Sequence, residues 1–221
     1  NFRRLSMLLN ELTGYKSAQD MELADVLSNL IKSGKYKKYN GEYAFVLEPP
    51  GKNYVYRLWT DDRGYWDFLE YIGDNPSEHV IKLIGAVRKV PMFFKHPSNH
   101  EYFYAARLEK LKPITSSTAI EVISACNDEI KRLKPAKLKI LTFGDLLHNA
   151  MQRTYDHEEI IEEFMQAHKS FFDEYIKIAQ WVSQHGASFI DMHAKNIMMR
   201  GNQFVITDPF HFSDLNVVSM V

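Results

Sequence analysis

The first apolar pattern along the chain has helical spacing. Residues 2–12 and 20–33 both carry it, and the second stretch stops at Ser33-Gly34, a typical helix end. Within that stretch the apolar residues recur three or four positions apart at Leu23, Val26, Leu27, Leu30 and Ile31. The pattern predicts a helical leader over residues 1–34.

A second pattern fills residues 35–111, where aromatic and β-branched residues are interrupted by turn signals. The segments EYAFVLE and YVYRLW predict two strands, and PPGKN between them predicts the turn of a hairpin. Two more strands are predicted by AVRKVPMFF and EYFYAARLEKL, on either side of the polar loop KHPSNH. The segment DRGYWDFLEYIGD predicts a short helix that ends at Gly73.

Helical periodicity returns after Pro113. The segments STAIEVISACNDEIKRL and TFGDLLHNAMQRTY each predict a helix. The longest predicted helix begins near Asp156, which has capping-box spacing to Glu159, and ends at Gly186. Two short strands, NIMMR and QFVITD, follow it, and Gly201-Asn202 predicts a tight hairpin turn between them.

This order of elements indicates an α+β fold class. We expect a strand-rich lobe over residues 35–111 and a helical lobe over residues 112–221, behind the leader at 1–34. The boundary falls near residues 109–113. Two lobes joined by a short linker form a cleft, and ligands usually bind in such clefts.

Composition narrows the class of protein. The chain has 221 residues, of which 45% are hydrophobic and 25% charged, as in an ordinary globular protein. A formal net charge of -1 gives no bulk attraction to nucleic acid or to an acidic membrane, and no apolar run has the length of a bilayer span. Cys126 is the single cysteine, which fits a reducing cytoplasm. We therefore expect a cytoplasmic protein without a nucleic-acid or membrane partner; its oligomeric state is not indicated.

The candidate chemistry lies in the stretch ASFIDMHAKNIMMRGNQFVITDPF. Asp191 and Asn196 are five residues apart on one loop, and the hairpin that follows returns Asp208 close to Asn196. A carboxylate and an amide oxygen that lie close together suit Mg²⁺, which takes few protein ligands and keeps several waters. Asp191 is then left to accept a proton from an attacking hydroxyl. Metal neutralisation and positioning of a nucleophile are what phosphoryl transfer needs.

The same stretch resembles the protein-kinase catalytic loop, D-x-x-x-x-N, followed by a metal-binding Asp. Here the second motif reads Asp208-Pro209-Phe210, and His193 stands where aminoglycoside phosphotransferases have His in D-x-H-x-x-N. Over residues 186–213, FIDMHAKNIM…ITDP is most similar to the early serine/threonine protein kinases of T-odd bacteriophages. The resemblance implies a two-lobed protein-kinase-like fold, ATP and Mg²⁺ as cofactors, a protein substrate and the host bacterial cytoplasm. It places His193 near the transferred phosphate or in support of Asp191.

The resemblance also implies that the strand-rich lobe contains residues that bind the phosphates of the nucleotide. Gly41 falls in the phosphate-covering loop, although a full G-x-G-x-x-G pattern is absent from the sequence. Arg57 falls where the family has the phosphate-binding Lys of the third strand, and a guanidinium can hold two phosphate oxygens. Its expected partner is a helical carboxylate, Glu70 by preference and Asp67 as the alternative.

By the same resemblance, the strand FYAARLEKLKP enters the hinge between the lobes. The backbone groups of Glu109 and Leu111 would then meet the edge of the adenine ring.

Two other functions remain open at the level of sequence. His193 suggests a small-molecule hydroxyl phosphotransferase, whereas Arg57 and the poor glycine loop suggest a pseudokinase that acts by binding. The plainest alternative is a polar loop of satisfied capping residues. Thirteen residues follow Asp208, too few for a full peptide-binding segment, so we expect a minimal kinase or a piece of a longer chain.

Overall fold

The computed structural model describes residues 18–41, 44–60, 62–94, 102–152, 158–185 and 189–211. The helices in these ranges are α1 (Ala18–Ser33), α2 (Arg63–Asp74), α3 (Ser117–Arg132), α4 (Pro135–Leu138), α5 (Phe143–Met151), α6 (Glu158–Ala167) and α7 (Lys169–His185). The strands are β1 (Lys37–Asn40), β2 (Ala44–Glu48), β3 (Tyr54–Trp59), β4 (Arg88–Pro91), β5 (Tyr102–Glu109), β6 (Lys112–Pro113), β7 (Phe189–Ile190), β8 (Ile197–Arg200), β9 (Gln203–Ile206) and β10 (Phe210–His211). Antiparallel strands followed by helices confirm the predicted α+β class.

The chain divides into two compact units. The first unit comprises Asn1–Asp62 and Lys82–Lys110, and the second comprises Arg63–Ile81 and Leu111–Val221. The sequence-based division at residues 111 and 112 lies one residue from the second junction. Residues 63–81, which include α2, belong by their packing to the second unit, whereas the predicted strand-rich lobe contained them.

The first unit is built on one antiparallel sheet with the order β1-β2-β3-β5-β4. The predicted hairpin is present: β2 pairs with β3 from Ala44 opposite Trp59, and Gly51 adopts a φ of 67° in the turn between them. Helix α1 packs on this sheet through Leu27, which is fully buried. Its core neighbours come from four strands: Leu47, Tyr56, Leu58, Val90, Phe103 and Ala105.

The second unit has a helical core. Helix α7 buries a stripe of large side chains at helical spacing, Phe171, Phe172, Tyr175, Ile178, Ala179 and Val182. Two small sheets pack near it, β6-β8-β9 and β7-β10, and β8 and β9 form the predicted hairpin with Gly201 at a φ of 61°. The phenol of Tyr71 on α2 donates to the buried carboxylate of Glu174 on α7 at 2.5 Å.

One helix prediction is wrong. The periodicity predicts a single long helix from Asp156 to Gly186, but α6 ends at Ala167 and α7 begins at Lys169. The ring of His168 at the junction lies 4.7 Å from that of Phe164 and 4.8 Å from that of Phe204, between centroids. The amide of His168 still donates to the carbonyl of Phe164 at 3.1 Å, and its carbonyl accepts from the amide of Phe172 at 3.2 Å, so the interruption is a single residue. An apolar period alone does not reveal it, because both helices bury the same face.

Several predictions fall on residues outside the described ranges. They are the helix at 2–12, the polar loop at 95–100, and the helix-end residues Asp156 and Gly186. Among the described residues, no helix is both long enough and apolar enough to cross a bilayer.

Candidate active site

Two short sheets bring the predicted loop and the Asp-Pro segment together. Ile190 pairs with Phe210 in the β7-β10 ladder, and just beyond it the amide of Asp191 donates to the carbonyl of Pro209 at 2.6 Å. At the open end of the β8-β9 hairpin, the amide and the hydroxyl of Thr207 both donate to the carbonyl of Asn196 at 2.9 Å. Asp208 therefore stands between two residues that are bonded to the loop.

The carboxylate of Asp191 is held at both oxygens. Lys131 Nζ lies 2.8 Å from Oδ1, and His193 Nε2 lies 3.3 Å from Oδ2. Asn196 Nδ2 donates to the backbone carbonyl of Asp191 at 2.8 Å and lies 3.5 Å from Oδ2. The Asp191 side chain is still 27% exposed, so it is oriented by neighbours and open to a reactant.

The hydrogen bonds of His193 define its neutral tautomer. Its Nδ1 accepts from the backbone amide of Lys195 at 3.2 Å, where His193 caps the short 3-10 turn Ala194–Asn196. In neutral imidazole the second nitrogen then carries the proton. Nε2 faces Oδ2 of Asp191 at 3.3 Å and also lies 3.5 Å from Nδ2 of Asn196. His193 is thus in contact with Asp191, and both roles predicted for it stay predictions.

The loop that carries Asp191 and His193 is also held by a hydrogen bond from the core of the second unit. The buried hydroxyl of Tyr175 on α7 donates to the carbonyl of Met192 at 3.0 Å. Burial raises the pKa of Tyr175 well above its usual value, so the phenol keeps its proton and remains a donor. Because Met192 is itself fully buried between Asp191 and His193, the polar residues of the loop stand on a rigid base.

The donor set at the end of the hairpin fits a hard cation. The amide nitrogen of Asn196 is used by the carbonyl of Asp191, so its Oδ1 is the atom that would bind a metal. Asp208, partly buried, would supply a carboxylate next to it. One carboxylate and one amide oxygen suit Mg²⁺, which keeps its remaining ligands as water or phosphate. Within the described ranges, no three His, Cys, Asp or Glu side chains gather as a further metal group.

Arg57 has an ion-pair partner within its own unit. Its Nη2 lies 2.9 Å from Oδ2 of Asp62, and the two side chains are 11% and 12% exposed. Glu70 and Asp67, the partners favoured by the sequence, lie on α2 in the second unit. Their pairing with Arg57 stays a prediction, as does the role of Arg57 in phosphate binding.

The remaining nucleotide-binding predictions concern backbone positions. The amide of Gly41, the residue after β1, donates to the carbonyl of Ala44 at 2.8 Å, so it is already hydrogen-bonded within its own unit. The amide of Glu109 donates to the carbonyl of Lys82 at 3.1 Å, so a contact of Glu109 with adenine would use its carbonyl. Leu111 begins the long segment of the second unit and is buried. Their roles toward a nucleotide remain predictions.

Sequence reasoning missed Lys131 and Tyr175, two residues that position the loop. Lys131 is 60 residues from Asp191 in sequence and comes from the end of α3. No spacing rule in the sequence places α3 beside the loop. Tyr175 lies on the buried face of α7, and the direction of its hydroxyl is set by the tertiary fold.

Comparisons with known proteins add a distant likeness. No protein-family model matches the sequence, and no curated protein matches it. Among solved structures, the chain is similar to a spectinomycin phosphotransferase crystallised in complex with ADP and spectinomycin. The identity is 12% and the TM-score 0.32, with 77% of this chain and 62% of that chain covered. This chain thus spans less than two thirds of that enzyme, and a likeness of this degree leaves the function to be argued from the site.

Proposed function

We propose that the protein is an ATP-dependent phosphotransferase whose acceptor is the hydroxyl of a serine or threonine in another protein. One observation carries the proposal: Asp191 is held at both carboxylate oxygens while Asn196 and the Asp208 segment are bonded to the same loop. Phosphoryl transfer is done mainly by positioning and by charge neutralisation, which such an arrangement supplies.

In the proposed reaction, the acceptor oxygen forms a bond to the γ-phosphorus as the bond from that phosphorus to the β–γ bridging oxygen breaks. ADP leaves with the electron pair of the broken bond, and the hydroxyl proton passes to a carboxylate oxygen of Asp191. His193 and Lys131 keep that carboxylate in one orientation, since each contacts a different oxygen. Asn196 contributes through its bond to the backbone of Asp191.

Mg²⁺, when bound, neutralises phosphate charge. On this chain Asn196 Oδ1 and the carboxylate of Asp208 are the atoms that would hold it. The β8-β9 hairpin supports this role, because the bonds of Thr207 to Asn196 keep the two ligand residues adjacent without help from a metal.

A pseudokinase is the second candidate, and the Arg57–Asp62 pair favours it. A guanidinium already paired at 2.9 Å with a nearly buried carboxylate would have to leave or share that partner to bind phosphate. The ordered surroundings of Asp191 favour the enzyme, since a binding module has no physical need for an oriented proton acceptor. For the setting of the reaction, we propose a bacterial host cytoplasm, without a membrane or nucleic-acid partner.

The experiment that tests the proposal is transfer from labelled ATP, with Mg²⁺ or Mn²⁺, to proteins of a bacterial lysate. Asp191→Asn should lower transfer by about 10²–10⁴-fold, because a positioned general base contributes on that scale. The matched control is Asp173→Asn, which removes an exposed carboxylate that pairs with Lys169 at 2.6 Å on α7. The control should keep parental activity, and thermal melting should show both variants folded.

Two outcomes would contradict the proposal. Near-parental transfer by Asp191→Asn would remove this residue from the mechanism. A parent protein that transfers no phosphate to any lysate protein or to itself, while still binding nucleotide, would make the pseudokinase the better description.

A further inference from the structure

The segment KRLKPAKLK, residues 131–139, concentrates positive charge. It contains five basic residues in nine positions, and no acidic residue occurs between Glu129 and Asp145. The whole chain has 27 basic and 28 acidic residues, so this segment departs sharply from the average. We call residues 131–139 the basic segment.

The basic segment begins at the candidate active site. Lys131, its first residue, is the one that lies 2.8 Å from Oδ1 of Asp191. It can reach Asp191 because α3 packs against β7 and the 3-10 turn of the catalytic loop. The buried face of α3 faces the core, with Ile123, Cys126 and Ile130 fully or almost fully buried. The charges that follow therefore extend from the place where the acceptor hydroxyl would react.

The basic segment is an ordered part of the second unit. Pro135–Leu138 forms the short helix α4, which packs against α7. Leu138 and Leu141 are buried, and Gln180 Nε2 on α7 donates to the carbonyl of Leu141 at 2.9 Å. The backbone that carries these charges is therefore held in place before a ligand arrives, so binding has to order only the side chains.

The remaining charges of the segment are open to solvent. The four basic residues after Lys131 are exposed, and within the described part of the chain none of them makes a side-chain hydrogen bond or ion pair: Arg132, Lys134, Lys137 and Lys139. The nearest effect of this charge is on Asp145, whose pKa is lowered first by its bonds to Thr142 and to a lesser degree by Lys137. Four exposed cations in one short segment leave a strong positive surface unused by the fold itself.

We infer that the basic segment binds an acidic stretch of the protein substrate, next to the serine or threonine that receives the phosphate. This inference rests on the proposed function and deepens it by naming the substrate class. Charge complementarity selects an acidic partner, and the position of Lys131 at Asp191 places that partner beside the reacting hydroxyl. A polycationic small molecule would be repelled at the same place.

A nucleic acid is the less favoured occupant. Binding along a phosphate backbone usually involves a basic surface on a basic domain, whereas the net charge here is -1. The second unit also carries exposed glutamates on α6, at Glu158, Glu159, Glu162 and Glu163, which would repel a long polyanion. A short acidic peptide segment can avoid that repulsion because it needs to span only the basic segment.

The test compares two synthetic peptides on the full chain. Both contain one serine, flanked by glutamates in one and by glutamines in the other. The parent should use the glutamate peptide about tenfold or more better in kcat/KM, because several surface charge pairs, each weak, act together. The gain should appear mainly in KM, as expected for uniform binding, and should shrink in high salt.

Two variants with the same change in net charge distinguish the effect of the basic segment on peptide preference from the effect of the overall charge. The test variant carries Arg132→Gln, Lys134→Gln, Lys137→Gln and Lys139→Gln. The control variant carries four exposed substitutions in the first unit, Lys32→Gln, Lys35→Gln, Lys37→Gln and Lys52→Gln. The test variant should lose the preference while keeping activity on the glutamine peptide, and the control variant should keep the preference.

A second measurement separates this inference from the proposed function. Fluorescence anisotropy of the labelled glutamate peptide, without ATP, reports binding alone. Binding that the test variant loses would support the basic segment as an acidic-peptide site even if no phosphate is transferred. Transfer without preference for the glutamate peptide would overturn the inference and leave the enzyme intact. Tighter binding of single-stranded RNA than of the peptide, lost in the test variant, would also overturn it.

Discussion

Asp208 is positioned by its two chain neighbours. Thr207 bonds to Asn196, and Pro209 accepts from the amide of Asp191. Replacing Asp208 by Ala should therefore leave the loop in place and remove only a charged oxygen donor. We expect Asp208→Ala to weaken nucleotide binding in Mg²⁺ far more than binding in EDTA, because the carboxylate acts through the metal.

Calorimetric titration of ADP with and without Mg²⁺ measures this difference. Asp191→Asn is the comparison variant, since it should leave both affinities nearly unchanged. An equal loss in Mg²⁺ and in EDTA would show that Asp208 affects the site through structure.

Arg57 could serve either of two roles: it could stabilise the fold through its ion pair with Asp62, or it could bind the phosphates of a nucleotide. If Arg57 binds phosphate, Arg57→Ala should lower nucleotide affinity by about ten- to a hundredfold, the scale of a charge-assisted contact of roughly 1.5–3 kcal/mol. Arg57→Lys should keep a measurable fraction of the affinity. Asp62→Asn should not lower the affinity, because it releases the guanidinium from the ion pair at 2.9 Å.

The control for this prediction is stability in urea, measured on both single variants and on the double variant. A purely structural pair would show similar losses of stability in the two single variants, little further loss in the double variant, and unchanged nucleotide affinity in all three.

The residues of the loop differ in how far the sequence could predict them. Asp191, His193 and Asn196 were predictable because their spacing along one loop is local. The contacts of Asp191 with His193 and Asn196 follow from that spacing. Lys131 was not predictable, because its contact depends on where α3 crosses the loop. The contact of Arg57 with Asp62, only five residues away, was not predicted, because Asp62 lies just before α2 and outside any regular spacing.

At the scale of elements, α2 is tied to α7 by a buried polar contact. Tyr71 and Glu174 are 1% and 5% exposed, and their oxygens are 2.5 Å apart. Burial first, and then the bond to Glu174, raise the pKa of Tyr71, so the phenol is a permanent donor. We expect Tyr71→Phe to cost about 1–3 kcal/mol of unfolding free energy, because a buried carboxylate loses its donor.

Equilibrium unfolding in urea measures this cost. Tyr39→Phe is the matched control, since Tyr39 makes the same kind of bond to Glu48 at 2.8 Å on an exposed surface. That control should change stability little, because water replaces the lost partner. Equal losses in the two variants would argue against burial as the source of the cost.

Elements with a strong local signal were predicted well. Helix α1, the β2-β3 hairpin and the β8-β9 hairpin each have a turn residue that fixes where they end: Gly34 at a φ of 64°, Gly51 and Gly201. The very short elements, α4, β6, β7 and β10, have no pattern long enough to recognise. The break at His168 has no signal in the apolar period, which continues across it, and the ring of His168 packs against Phe204, more than thirty positions further along the chain.

The molecule as a whole should begin to lose folding stability at a pH above the range in which carboxylates titrate. Burial first, and then the charge of His79, lower the pKa of His168 from its usual 6.5. The unfolded chain therefore binds a proton at His168 at a higher pH than the folded chain does. The contribution of His168 to the free energy of unfolding is fully present above pH 6.5. It should be lost as the pH drops from 6.5 to the lower pKa of the folded state.

Urea midpoints at pH 7.5, 6.5 and 5.5 would measure this fall. His168→Phe keeps an aromatic ring against Phe164 and Phe204 but cannot titrate, so its stability should decline less between pH 6.5 and 5.5. Parallel declines in the parent and the variant would show that His168 is not the source of the acid sensitivity.

The bond from the amide of Asp191 to the carbonyl of Pro209, beside the two-residue β7-β10 ladder, has a consequence for control. A segment joined in this way moves together with the loop, so the distance between the two aspartates is preserved when the unit fluctuates. The relative placement of the two residues is then a property of the folded chain before any ligand binds. For the proposed enzyme, we therefore expect regulation to act on the access of substrate or on the amount of protein.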